Sequence, residues 1–284
     1  MWRVVQVLLV LSLLAGLAPA QTHSSAPKFS SEDDQLYQLR AVAEDCLPSF
    51  GMIPGEHTPA PLAAPVTLPR MAPELALQAY RGRTYLQNMQ LVAYSATSVI
   101  HAQLPDTKQY GEYELRRQYS APHTLAFKAV RFVGDNFVKS NVIVRLLQSE
   151  VDHVQKDDPS LNAISPANYK FSYKGTTEVQ GRVVHTYQVK PRHKRAGLFK
   201  GRIYLDAYTG SMVRAEGVLA KSPSLFIKRI EFLQDYADID SFTLPVHIHS
   251  EARTRLVGRV IVDVYHSDYQ PVSSVLQANS APAL

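Results

Sequence analysis

The chain offers few residue sets with the spacing that chemistry needs. His247 and His249 stand two apart, so on a strand both imidazoles share a face and could reach one metal ion. Arg253 and Arg255 follow on that same polar face and would repel a cation, and no third ligand is evident from the run itself. The reading is therefore no metal site and no cofactor. Glu112 and Glu114 are spaced to point outward together, which serves solubility better than acid–base catalysis, where one carboxyl must be shielded to raise its pKa. Ser, His and Asp are all present, but GxSxG, HExxH, GxxxxGK and GxGxxG are not, so no catalytic residue is assigned and the chain is read as not an enzyme. Lys190-Pro-Arg192-His-Lys194-Arg195 concentrates positive charge, which suits either a solvated loop or anionic headgroups through Lys190, Arg192, Lys194 and Arg195. A single cysteine, Cys46, excludes an internal disulfide and reads as a free thiol.

The elements that would position these groups are mostly strands. Tyr169, Phe171 and Tyr173 alternate with polar residues, as do Val183, His185, Tyr187 and Val189, and Ile203 and Leu205 continue the inner face. Glycine-bounded GTTEVQG (175–181) and DAYTG (206–210) separate these runs as turns. Further strands are expected over 91–104, 111–120, 124–133, 225–234, 244–256 and 259–265. Helices are expected over 73–90, with an apolar stripe of Leu75, Leu77, Tyr80, Tyr85, Leu86 and Met89, and over 138–155, with Ile143, Leu146, Leu147, Glu150, Val151 and Val154 on one face. This pattern predicts an α+β fold, a curved antiparallel sheet or incomplete β-barrel whose concave face is covered by helices.

Before this body, residues 1–20 read as a signal peptide: Arg3, an apolar run from Val4 to Leu17, then Ala18-Pro19-Ala20 as the cleavage site. The apolar run is shorter than the roughly 20 residues a spanning helix needs. Residues 21–72 read as a polar and then proline-rich extension, with a short helix over 30–45 and prolines at 48, 54, 59, 61, 65, 69 and 73 that forbid helix and central strand. The folded domain spans 73–271, and 272–284 reads as a disordered tail. The formal net charge of +5 is mild and scattered, which argues against nucleic acid and allows at most peripheral contact with an anionic membrane.

In this setting VVHTYQVKP, GRIYLDAYTGSMVRAEG and FTLPVHIHSEARTR carry a resemblance. With Lys190-Pro191 ending a hairpin strand, Ile203 to Asp206 before a turn, Val213-Arg214, and Leu244-Pro245 opening a late strand, the chain resembles outer-membrane lipoprotein-sorting proteins of the LolA-like superfamily. The resemblance implies a half-barrel with an apolar cavity that takes lipoprotein acyl chains or lipid in the periplasm of a diderm bacterium. It carries no ligand-contact residue onto this chain. From the strand pattern, the candidate cavity lining is Tyr169, Phe171, Tyr173, Val183, Tyr187, Val189, Ile203 and Leu205. The expected function is an exported periplasmic binding protein of that type. The alternatives are an envelope sensor or scaffold of the same fold, which would bind a protein partner through its N-terminal extension, and, last, a hydrolase.

Overall fold

The computed structural model describes residues 69–156, 158–221, 227–255 and 257–274. The expected signal peptide, the extension as far as Leu68, Cys46 and the tail beyond 274 lie outside these residues. Ten strands form one antiparallel sheet: β1 (Leu91–Leu104), β2 (Gln109–Ser120), β3 (Thr124–Gly134), β4 (Tyr169–Val179), β5 (Arg182–Pro191), β6 (Phe199–Asp206), β7 (Met212–Leu219), β8 (Ile227–Ile239), β9 (Phe242–Thr254) and β10 (Arg259–Ser273). Their order is β3-β2-β1-β10-β9-β8-β7-β6-β5-β4, so β3 and β4 are free edges and the barrel is not closed. The sheet curls all the same. Leu115 of β2 and Tyr169 of β4, near opposite edges, belong to one buried cluster with Ile203, Phe232, Ile248 and Val262 between them. The α+β open antiparallel architecture expected from the alternation is the one found.

Curvature has a local cause in β6 and β7. Gly201 and Gly217 lie directly opposite each other, and a Cβ on Gly201 would collide with the Glu216 carbonyl. Only paired glycines let the two strands approach this closely and coil. The β4–β5 connection is tighter than expected. Instead of a loop over 175–181, β4 runs on to Val179, and Gln180 and Gly181, both at positive φ, form a two-residue hairpin turn.

Helices cover the inner face. α1 (Pro73–Gln90) starts with proline in its first turn and gives way to β1 where β-branched residues begin. A second helical stretch comprises α2 (Asn136–Val138), a π-helical turn at Lys139–Ile143 and α3 (Val144–Lys156). Of the face expected of it, Ile143, Leu146, Glu150 and Val154 are buried, with Val142 added, and Leu147 and Val151 are partly buried.

The stripe expected on α1 is corrected by the structure. Of its six members Tyr80 is buried and Leu77 packs against the core, joined by Ala76 and Gln87, whereas Leu75, Tyr85, Leu86 and Met89 are exposed. The reason is steric. Gly210, in the β6–β7 turn at φ 69°, comes so close that a Cβ there would stand 2.7 Å from Ala79 Cβ and 2.9 Å from the Ala76 carbonyl oxygen. Small residues on that side of α1 let it lie low on the turn, and the larger side chains are rotated outward. Among the described residues no helix is long and apolar enough to cross a membrane.

Candidate functional site

The candidate site is the covered face of the sheet, and its floor comes from β4, β5 and β6. Strand pairing sets Phe171 opposite Val189, Tyr173 opposite Tyr187, and Tyr187 opposite Ile203. Tyr169, Tyr187, Val189, Ile203 and Leu205 are buried in the main core. Phe171 is partly buried against that core, with the guanidinium of Arg81 above its ring at 5.9 Å. Val183 is partly buried at the far end of β5, while its neighbour Val184 is buried on the opposite face with Tyr204 and Val213. Tyr173 sits at the rim, 43% exposed, its hydroxyl 3.0 Å from Thr176 Oγ1. The structure thus brings five of the eight candidate residues together in the interior and leaves Tyr173 at the edge.

Polar contacts fasten α1 over this floor at both ends. At the start, Tyr187 donates its hydroxyl to the Pro73 carbonyl at 2.5 Å, and His185 Nε2 lies 2.9 Å from the Met71 carbonyl. Near the end, the Gln87 amide donates to the Thr243 carbonyl at 3.2 Å and accepts from the Thr243 N–H at 2.9 Å, while Arg83 reaches Asp238 at 3.3 Å. Between them the buried side chains are few. Under the helix is a hollow of about 30 Å³ lined by Tyr80, Arg83, Thr84, Gln87, Met212, Tyr236 and Thr243. That is room for one water. The Tyr236 hydroxyl is buried there with no protein hydrogen-bond partner. Burial pushes the Tyr80 phenol up to about 12 and the Tyr236 phenol well above its ordinary range, so both stay neutral.

The other helix is fastened by charge. Arg117 of β2 points inward and donates through Nη1 to Glu150 of α3 at 2.5 Å and through Nε to the Tyr94 hydroxyl at 2.9 Å, with its guanidinium 5.4 Å from the Phe127 ring centre. Both charged side chains are nearly inaccessible. Burial opposes the guanidinium's charge, but Glu150 and Tyr94 outweigh it, so the Arg117 pKa lies above its ordinary value. Beside it Ser98 Oγ stands 2.8 Å from His266 Nδ1. Burial, reinforced by the positive charge of Arg117, holds the His266 pKa well below its usual value, so this imidazole is neutral near pH 7. Sequence reasoning did not pick out this cluster. The signal was present all the same: Arg117 falls in an alternation with Tyr113, Leu115 and Tyr119, and Glu150 falls on the apolar face of its helix.

The basic run is largely occupied in holding loops. Arg192 donates its backbone N–H to the Asn168 carbonyl and its Nε to the Pro166 carbonyl at 2.7 Å. Arg195 donates to the Leu161 carbonyl and, at 3.2 Å, to Asn168 Oδ1. Lys190 and Lys194 are exposed.

The fold and the covered face define an open antiparallel half-barrel with a helical roof. A family model described as a family of unknown function, DUF5686, matches residues 161–271, that is, from just before β4 into β10. No curated protein matches the chain. Among solved structures, the chain is similar to an outer membrane lipoprotein-sorting protein domain from Vibrio parahaemolyticus, at 11% identity and TM-score 0.36, covering 70% of this chain and 92% of that one. It is similar to a DUF1329 family protein from Desulfovibrio piger at 10% identity and TM-score 0.36, with the same two coverages. A LolA superfamily protein from Nitrosomonas europaea is similar at 8% identity and TM-score 0.34, covering 70% and 93%. Likeness at these TM-scores says nothing about ligand or activity.

Proposed function

We propose that the chain is an exported periplasmic binding protein that holds lipoprotein acyl chains or lipid between the inner face of its sheet and its helices. One observation carries this reading: α1 roofs an apolar floor with little apolar contact of its own. Its inward side chains are Ala76, Leu77, Tyr80 and the polar Gln87, and hydrogen bonds at its two ends hold it down. Each such bond contributes about 0.5–1.5 kcal/mol net. Each methylene that replaces the helix against the floor contributes about 0.8 kcal/mol. A chain of a dozen methylenes, about 10 kcal/mol on that scale, is of the size needed to offset the hydrogen bonds and the apolar contacts of Ala76, Leu77 and Tyr80 lost when α1 lifts. No covalent step is needed.

Lining the guest space in this reading are Tyr169, Phe171, Tyr173, Val183, Tyr187, Val189, Ile203 and Leu205. The exposed Lys190 and Lys194 are the members of the basic run best placed to meet an anionic headgroup, with Arg192 and Arg195 shaping the loop that presents them.

The test is mass spectrometry of material extracted from protein purified out of its native envelope, paired with uptake of a fluorescent fatty acid by delipidated protein. Co-purified acyl lipid and saturable uptake support the reading. Protein that is free of lipid and takes up no fatty acid overturns it.

A further inference from the structure

On the outer face of the sheet, away from the helices, the two histidines of β9 meet a carboxylate that the sequence does not place beside them. Asp263 of β10 lies directly opposite His249, and His101 of β1 lies directly opposite Asp263 from the other side. His249 Nδ1 stands 2.8 Å from Asp263 Oδ1, and His247 Nε2 stands 3.2 Å from the same oxygen. The His247 ring is stacked on Tyr265 with centroids 4.6 Å apart and planes 11° apart, and its Nδ1 lies 3.6 Å from Asp235 Oδ2. All four groups sit on the adjacent strands β9, β10 and β1, inside the sheet and not at its free edges.

We propose that His247, His249 and Asp263 form a surface site for a borderline transition-metal ion of the zinc, nickel or copper(II) kind, with His101 within reach as a further donor. Imidazole donors select such ions over calcium and magnesium.

Two observations support this beyond the histidine spacing. One is charge. On this face Asp235, Glu112, Glu216 and Glu251 each hold an arginine: Arg214 at 2.6 Å, Arg131 at 2.9 Å, Arg202 at 3.8 Å and Arg259 at 2.7 Å. Among the described residues the ion-pair partners of Asp263 are the imidazoles of His247 and His249, and no arginine or lysine occupies this carboxylate. The other is distance. Two donors, each about 2.0–2.2 Å from a tetrahedral ion, stand about 3.4 Å apart. From 2.8 and 3.2 Å, the first separation here must open by about 0.6 Å and the second by about 0.2 Å.

Among the described residues no three donors already converge on one point, so the ion must draw them together. They are free enough to move: His247, His249 and His101 are 27%, 41% and 39% exposed. The arginine objection from the sequence weakens in three dimensions. Arg253 is four residues beyond His249 on an extended strand, about 13 Å away and past the screening length of physiological salt. Glu251, between them, is paired with Arg259.

The experiment is equilibrium dialysis of Zn²⁺ against the full, chelator-washed chain, with thermal unfolding measured alongside. Wild type is expected to bind one more ion than His247→Ala/His249→Ala, and Zn²⁺ is expected to raise the melting temperature of wild type only. Asp263→Asn, which keeps the side-chain shape but removes the anionic ligand, is expected to weaken that site by more than the about 10- to 100-fold lost when a carboxylate only supports a metal-bound imidazole. Equal Zn²⁺ binding by wild type and the folded double variant, or none by either, overturns the proposal. Neither outcome bears on lipid binding, which concerns the opposite face.

Discussion

Gln87 of α1 satisfies both backbone groups of Thr243 in β9, donating to its carbonyl and accepting from its N–H. The amide side chain thereby stands in for a neighbouring strand. This contact registers the carboxyl end of the helix against the sheet, as the Tyr187–Pro73 bond does at the amino end.

Gln87→Leu keeps the bulk and removes both bonds. It is expected to destabilise the fold by about 1–3 kcal/mol, the cost of leaving buried polar groups unpaired, measured by urea unfolding. If α1 is the roof that lifts, the same variant takes up fluorescent fatty acid faster than wild type. Unchanged uptake in a destabilised variant would show that the helix end is not where the guest enters.

Glu150→Ala strands the buried guanidinium of Arg117. The expected loss is about 3–5 kcal/mol. Arg117→Met/Glu150→Leu, which removes both charges and fills the space, is expected to recover most of it. The comparison is again made in urea. A double variant as unstable as the single one would mean that the pair's worth lies in its geometry and not in the cost of an orphaned charge.

His266 makes stability depend on pH. Its folded-state pKa is depressed by burial and by Arg117, whereas the unfolded imidazole titrates near 6.5. Below that value the unfolded chain binds a proton that the folded chain does not, so stability is full above about pH 6.5 and declines as pH falls. The slope from this one residue is at most about 1.4 kcal/mol per pH unit. Beside it Arg117, whose pKa is raised, stays charged across this window, and the phenol of Tyr269 is pushed up and stays neutral. Asp206, whose pKa is lowered, contributes only at more acid values. Melting temperatures between pH 7.5 and 5 are expected to fall more steeply for wild type than for His266→Gln. Parallel curves would rule out His266 as the source.

Strand content was legible because a half-buried sheet writes its faces into alternate residues. Tyr169, Tyr187, Val189, Ile203 and Leu205 lie inside, as the period-two pattern requires. α1 was misread because its packing is set by how closely Gly210 approaches Ala76 and Ala79, a contact between distant parts of the chain that rewards small residues over large ones. Arg117 and Glu150 could each be seen on a buried face, yet nothing local joins residues on β2 and α3. Asp263 was visible on the wet face of β10 for the same reason as Tyr265. Its place beside His249 depends on strand register, which only the folded sheet supplies.

The strand order carries a consequence for biogenesis. Ile100 finds its neighbour in Val264, so the first hairpins adjoin the last described strand and not the one that follows them in the chain. A nascent polypeptide that has delivered everything up to Thr254 holds two separate ribbons with mismatched flanks. Only when residues 259–273 arrive do they zip into one surface, and loop closure over so long an interval makes that step slow. A chain of this design reaches its folded shape late, which makes its carboxyl end the assembly clasp of the whole domain.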